Sequence, residues 1–360
     1  MKNTTGVGDL LDIDGLDSFD DFLTLTQPTN SGSKAIANTL YGINSQKTSS
    51  LVPLNKDDYG YVFFTRPQLN LTTFNLRGYR KFYDLLTKDE NSILRYIRCM
   101  LDPKLEYIEG LKSPFVDNKN PFIPLLTNTI EQMGGWPDPV IESYTTPQGL
   151  KREQLSMVDS QLEIYSSFTI DCSFKNIVND PVSLLFHVWG TYPTLTFQGI
   201  LAPYNVFMLE NALDYNTRIY RLIMDETRTY VKKISATGAS YPINIPMGRF
   251  FDFKSDGTYN HQNNSINIRF ECNGADYNDS ILCKEFNMTS DIFNDDMYKL
   301  NKGESGHNLV KVPSSMVSMF NYRAYPRINL ETLELEWYID SRSNIYKKME
   351  KYIKTRINNG

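Results

Sequence analysis

The residues best placed for chemistry are three glutamates that precede a tryptophan near the C-terminal end. Glu331, Glu334 and Glu336 lie in the segment NLETLELEWYI, just before Trp337. Two carboxyl groups that face one sugar ring are what a glycoside hydrolase needs. In an extended chain, however, alternate residues share a face, so that Glu334 and Glu336 lie opposite Leu335 and Trp337. We therefore predict a half-buried strand with the acids on its outer face. A glycan hydrolase that uses Glu334 or Glu336 is the enzyme alternative.

Other catalytic patterns are absent from the sequence. The three histidines, His187, His261 and His307, are far apart, without the H-x-x-x-H or H-E-x-x-H spacing of a metal site. The sequence contains no G-x-S-x-G elbow and no G-x-x-x-x-G-K-[ST] phosphate loop. We predict that the protein is not an enzyme and that it needs neither a metal nor another cofactor. We also expect His187 to be a buried or interfacial helix residue.

The four cysteines are widely separated and include no C-x-x-C pair. A disulfide framework would need denser spacing, and a zinc site would need close pairs. Buried free thiols are therefore expected at the four positions, which are Cys99, Cys172, Cys272 and Cys283.

Composition excludes some partners. The chain has 360 residues, of which 41% are hydrophobic and 13% aromatic, and its formal net charge is −5. That charge argues against general attraction to nucleic acid or to anionic membranes. The N-terminus has no basic n-region before an apolar run, and no apolar run approaches the ~20 residues of a membrane span. We expect assembly in a cytosol and no membrane contact.

One segment combines cations with aromatic residues. TRIYRLIMDETRTYVKK interleaves Tyr220 and Tyr230 with basic residues, among them Arg218, Arg221, Lys232 and Lys233. Such a pattern can follow a nucleic-acid backbone. It can equally be the polar face of two strands, paired with Asp225 and Glu226, and the acidic balance elsewhere favours this second interpretation.

Residues 1–56 are predicted to form an N-terminal arm, rich in Ser, Thr, Asn and Gly. Within it, LLDIDGLDSFDDFLTL alternates acidic and apolar residues, but Gly15 falls too early after Asp12 for an EF-hand loop. Such a segment either docks on a neighbouring subunit or is an ordinary tail. In the first case the contact residues are Leu11, Ile13, Leu16, Phe19 and Phe22.

The remaining chain divides into a mixed helical and irregular region (57–150), a β-rich region (151–290) and a C-terminal extension (291–360). Alternation from Leu162 to Phe174 predicts a long strand, and 217–248 and 265–274 predict further strands. Between them we predict a helix, with Asp180 as its cap and Pro181 in its first turn. The fold class expected is α+β: a central antiparallel sandwich or open barrel with a packed helix and terminal additions.

The C-terminal extension is predicted to end in a strand and an amphipathic helix, Ser343 to Ile357. Its cationic face includes Lys347, Lys351 and Lys354. The helix either lies against an acidic surface of a neighbour or packs on its own domain with solvated lysines, and the second alternative is favoured.

Four phrases resemble virion structural proteins of large tailed bacteriophages, particularly components of contractile tails. They are Gly60–Leu71 (GYVFFTRPQLNL), Asn120–Asn128 (NPFIPLLTN), Thr217–Gly248 and Ala324–Ile339. The resemblance implies a non-enzymatic subunit with a β-sandwich-like barrel and a packed helix. It also implies that copies form a ring or tube around the DNA channel, together with other tail proteins, in a virion assembled in the host cytoplasm.

The predicted function is thus a structural subunit of the phage tail, whether of the tube, of a tube-initiating baseplate ring or of the neck. The alternative from a different class is an aromatic-rich protein for glycan binding or host attachment, since Tyr and Trp side chains suit such surfaces.

Overall fold

The computed structural model describes residues 59–159, 164–251, 264–320, 323–348 and 350, all within the unit Asp58–Gly360. The strands described are β1 (Gly60–Phe64), β2 (Ile130–Gly134), β3 (Ser143–Thr145), β4 (Ser156–Val158), β5 (Ile164–Lys175), β6 (Ile219–Met224), β7 (Val231–Pro242), β8 (Ser265–Tyr277), β9 (Leu309–Val312), β10 (Tyr325–Ile328) and β11 (Leu335–Asp340). The helices described are α1 (Thr73–Leu76), α2 (Ile93–Leu101), α3 (Leu105–Glu109), α4 (Pro124–Thr129), α5 (Pro181–Phe197), α6 (Asn205–Glu210), α7 (Ser280–Phe293) and α8 (Asp295–Asn301). Short 3₁₀ helices span Arg80–Leu86, Gly248–Phe251 and Ser314–Phe320.

The central feature is a six-stranded antiparallel sheet in the order β1-β6-β7-β8-β5-β2. The chain just before α4 reaches the end of β1, where the Ile123 amide donates to the Phe64 carbonyl at 2.9 Å. Strand β2 follows α4 directly, so this connection brings the two outer strands of the sheet toward each other. The result is a nearly closed barrel, and the α+β class with an open barrel is confirmed.

Alternation along the long strands explains why they form and which face they bury. In β5, Ile170, Cys172 and Phe174 are buried while the intervening Asp171 is exposed. Ile170 pairs directly with Phe270 of β8, which is also fully buried. A period of two places these side chains on one face of the sheet, where they form the larger core.

Helix α5 covers that face. Pro181 occupies its first turn, as expected, and Phe186 and Trp189 are fully buried against the sheet. Their rings lie 5.8 and 6.2 Å from the ring of Phe270. Asp180 occupies the N-cap position, as expected, but it adopts a left-handed conformation and its side chain caps no helix amide, accepting instead from the Asn176 amide group.

A second core lies on the opposite face of β6 and β7, beneath α7. Its centre is Phe286, whose ring packs within 5.3 Å of Phe63, Phe122 and Tyr220. Asp279 caps this helix by accepting from the Ile281 amide. The barrel therefore carries a helix on each face.

The C-terminal strands form a separate three-stranded sheet in the order β10-β11-β9. It is joined to α7 by the Asn287 side chain, which donates to the Ile328 carbonyl at 2.7 Å and accepts from the Ile328 amide at 2.8 Å. Both bonds are buried, so they fix the sheet against the helix.

All four cysteines are free and buried, as predicted. Burial raises the pKa of the Cys99 and Cys272 thiols to about 11, which makes them poor nucleophiles at neutral pH. In the described ranges, no helix is both long enough and apolar enough to cross a membrane.

Candidate assembly surface

The structure uses Glu336 to stabilise the C-terminal sheet. Glu336 lies in β11 but is only 5% exposed, so the prediction that it faces outward was wrong. The Arg327 guanidinium donates to one carboxylate oxygen at 2.8 Å, and the Lys311 ammonium donates to the other at 3.0 Å. The Tyr338 hydroxyl donates a further bond at 2.9 Å. Met297 of α8 packs with Tyr338 on this side of the sheet. The paired cations Lys311 and Arg327 offset the cost of removing the Glu336 carboxylate from water.

The charge state of Glu336 is unsuited to acid catalysis. Burial by itself would raise the pKa of this carboxyl group, but the hydrogen bonds from Lys311, Asn329, Tyr338 and Arg327 outweigh burial and hold the pKa below its usual value. A general acid in a glycosidase needs the opposite shift, to a raised pKa. Glu334 is bound to the same Lys311 at 2.9 Å. The glutamates therefore act as ion-pair partners.

We expect Glu336→Gln to lower the free energy of unfolding by about 1–3 kcal/mol at pH 7, because the largely buried Arg327 and the exposed Lys311 lose their charged acceptor. The depressed pKa means that the native carboxylate stabilises the fold above its unfolded pKa of about 4.3, and that this contribution is lost as the pH falls through the folded value. Urea unfolding between pH 3 and 7 should therefore show a shallower acid decline in the variant.

The matched control is Glu331→Gln, at an exposed position of the same segment, which should change stability little. Equal pH profiles for wild type and Glu336→Gln would contradict the role of Glu336.

The basic segment is divided between the two faces of the barrel. Arg218 contacts Glu285 of α7 at 2.8 Å and donates to the Thr237 carbonyl at 2.9 Å. Arg221 and Lys233 lie on the other face of the sheet, and Lys232 is exposed on β7. The tertiary structure therefore does not unite the four cations in one continuous track.

Arg221 and Lys233 line a cavity of about 590 Å³ at one mouth of the barrel. Its walls include Gly60–Val62 of β1 and Ile130–Met133 of β2, the two outer strands of the sheet. A Cβ atom at Gly60 would lie 2.3 Å from the Leu222 carbonyl oxygen and 2.7 Å from the Arg221 guanidinium, so the close approach of β6 to β1 requires glycine here. Half-burial lowers the pKa of Arg221, and no carboxylate of the described residues pairs with it.

A protruding hairpin provides an apolar surface that the sequence analysis did not identify. Strands β3 and β4 pair only with each other, and all six of their residues are exposed. Ile141 and Val158 are 63% and 72% exposed, and Tyr144 and Met157 face each other across the pair. The signal was present as two short segments with apolar residues, VIESYT (140–145) and LSMV (155–158), on either side of a connection that contains the turn residues TPQG. An isolated two-stranded hairpin is marginal in water, so a partner surface would stabilise it.

A second apolar surface surrounds α6. None of the residues of this helix is buried, and Val206, Met208 and Leu209 are exposed. The helix is nevertheless anchored: the Tyr204 hydroxyl donates to the Asp102 carboxylate at 2.7 Å, and the Lys104 ammonium lies 4.5 Å from the centre of the Phe207 ring. An exposed apolar helix that is held in place is typical of an interaction surface.

The remaining predicted contact residues are placed as follows. Leu11, Ile13, Leu16, Phe19 and Phe22 lie outside the described residues, as do Lys351 and Lys354. Lys347 lies in the helical stretch 344–348 and is exposed.

His187 lies on α5, where burial, followed by the nearby charge of Lys81, lowers the pKa of its imidazole. In the described ranges, no group of three or more His, Cys, Asp or Glu side chains could hold a metal ion.

Comparison with known proteins gives one extensive match. A family model described as "Putative phage tail tube protein" matches residues 5–352. Among solved structures, the anti-feeding prophage cap, which terminates the tube, has a TM-score of 0.26 and 12% identity, and the match covers 44% of this chain and 81% of that one. A TM-score this low carries no argument about fold or function. No curated protein matches the chain.

Proposed function

Since the chain belongs to the family of phage tail tube proteins, we propose that it builds the tail tube by self-assembly, in rings whose stacking encloses the DNA channel. The observation that carries the proposal is the family match, which extends over residues 5–352. Other tail proteins are its proposed partners, and the virion, assembled in the host cytoplasm, is its proposed location. A baseplate ring and the neck are alternative positions in the tail, and a contractile tail remains a prediction.

The described surface supports self-assembly. The β3–β4 hairpin and the α6 surface both expose large apolar side chains. Specific subunit contacts need apolar surface of this kind, because its burial drives association. We propose these two surfaces as the principal subunit contacts.

DNA that passes through the channel does not need to bind this subunit tightly. A net charge of −5 opposes tight binding of a polyanion. In the basic segment, Arg218 is already paired with Glu285 of the same chain. We propose that contact with the genome is non-specific, as suits a channel through which DNA must move.

The glycan-related alternatives have less support. Of the three tryptophans, Trp189 is fully buried in the core and Trp337 is half-buried in the C-terminal sheet. The glutamates beside Trp337 are paired with cations. Trp189 and Trp337 therefore contribute to packing within the protein, and we propose a non-enzymatic role.

The proposal is tested by negative-stain microscopy and mass photometry of the purified protein over a range of concentrations. We expect rings or tubes with a central channel, formed more completely as concentration rises. Single closed rings without stacking would favour the baseplate or neck position. A protein that stays monomeric at every concentration would refute self-assembly.

A further inference from the structure

A ring of more than two identical copies needs two different surfaces on each copy. Such copies meet head to tail, so that one patch of a subunit contacts a second, complementary patch of its neighbour. The same holds for identical rings that stack along a tube. Since the proposed function is self-assembly, the surface that receives the exposed helix α6 should also lie on this chain.

Helix α6 carries an acidic group that its own fold does not use. Glu210 is the last residue of this helix and is exposed, and no cation of the described residues pairs with it. A negative charge in the last turn is unfavourable for the helix itself, because the carbonyl end of the helix dipole is also negative. Val206 and Leu209, which are 51% and 83% exposed, lie four and one residues before it. Spacings of three and four place Val206, Leu209 and Glu210 on one side of the helix, as a carboxylate beside apolar side chains.

The cavity at the mouth of the barrel has the complementary character. Arg221 and Lys233 supply two positive charges, and Glu131, which also lines the cavity, makes no ion pair with either. Trp136 and Tyr277, whose rings contact edge to face at 6.0 Å, provide an aromatic wall. Cations beside an aromatic surface suit an occupant that carries a carboxylate next to apolar side chains.

The half-buried Arg221 is the group that gains most from an acidic partner. Burial lowers its pKa, and no acid of the described residues offsets this effect. A guanidinium and a carboxylate can form two parallel charge-assisted hydrogen bonds, which are stronger where water is partly excluded. The cavity volume of about 590 Å³ lies in the range that admits ligands. No residue of α6 lines the cavity, so the two surfaces are separate patches of one subunit, as a head-to-tail contact requires.

We propose that helix α6 of one copy docks in the barrel-mouth cavity of the next copy, with Glu210 paired to Arg221 and Lys233. The exposed apolar side chains of α6 then pack against the aromatic wall of the cavity. This contact rests on the proposed function, because it exists only when copies of the chain assemble.

Crosslinking between copies tests the contact. A photo-crosslinking amino acid replaces Gln132, an exposed residue of β2 on the cavity wall, in full-length protein labelled with a heavy nitrogen isotope. This protein is mixed with unlabelled wild type while dilute, concentrated to allow assembly, illuminated and digested with trypsin. We expect the labelled probe peptide to be linked to the unlabelled peptide Asn176–Arg218, at a position within residues 204–213 that contain α6. The same probe at Glu304, which is exposed and does not line the cavity, should not yield that link.

Removal of the two charges tests the recognition. Glu210→Gln and Arg221→Gln each keep a long polar side chain, and each should lower the yield of the α6 link roughly tenfold. The double variant should lose little more than either single variant, because the two side chains act on each other. Glu131→Gln, on the cavity wall, is the matched control and should not lower the yield. Circular dichroism should show wild-type folding in every variant, since none of these charges is paired within the described subunit.

Several results would overturn the proposal: links from Gln132 to other segments only, no link between copies, a yield unaffected by the two glutamine variants, or losses that multiply in the double variant. Rings or tubes seen by microscopy without the α6 link would refute this contact and leave self-assembly intact. If microscopy shows neither rings nor tubes, the proposed function itself has failed, and this contact fails with it.

Discussion

Ile141→Asp combined with Val158→Asp should abolish assembly of the protein while leaving its unfolding temperature nearly unchanged. Both side chains are exposed on the β3–β4 hairpin, so the folded monomer loses no packing. At a subunit contact, each would lose about 1.5–3 kcal/mol of apolar burial and would add a buried charge. Since 1.4 kcal/mol corresponds to a factor of about ten, the concentration needed for assembly should rise at least a hundredfold.

Sedimentation and negative-stain microscopy measure this effect, and circular dichroism verifies folding. The matched control, Ile141→Val with Val158→Ile, keeps the apolar character and should assemble like the wild type. Normal assembly of the aspartate variant would remove the hairpin from the proposed interface.

Phe270→Ala should lower the free energy of unfolding by about 3–5 kcal/mol, because it leaves a cavity in the larger core. Phe270 is fully buried at the centre of β8. Its ring packs against Phe64 at 5.6 Å, Phe186 at 5.8 Å and Trp189 at 6.2 Å. The contacts join β1, β8 and α5, so the loss should weaken the barrel and its covering helix together.

Urea unfolding of dilute protein gives the measurement. Phe197→Ala is the control, since this side chain, at the end of α5, is 92% exposed and should contribute within about 0.5 kcal/mol. Similar losses for the two variants would show that Phe270 is not part of the cooperative core.

Much of the fold could be predicted from local patterns. Ile170, Cys172 and Phe174 alternate with polar neighbours, and this period of two was sufficient to predict β5. Pro181, followed by a long apolar stretch, was likewise sufficient for α5. The sequence shows these signals because each depends on a single strand or helix that buries one of its faces.

The candidate surfaces were harder to predict, for a related reason. The acids of β11 were expected to be solvated, but Lys311 and Arg327 reach Glu336 from neighbouring strands, and only the packed sheet brings them there. The segments that form β3 and β4 mix apolar and polar residues, as the core strands do. Their exposure depends on the hairpin's projecting from the barrel, which no local pattern records.

By itself, the sequence determined the α+β class, the periods of the long strands, the covering helix, the buried thiols and the resemblance to tail proteins, because residues close in the chain carry each of these signals. The tertiary structure alone decided which side chains share a site. It separated Arg218 from Arg221 and Lys233, buried Glu336, and opened a cavity between β1 and β2, strands almost seventy residues apart. Such juxtapositions depend on how the sheet closes and on which charges must be paired once water is excluded, and both are properties of the whole fold.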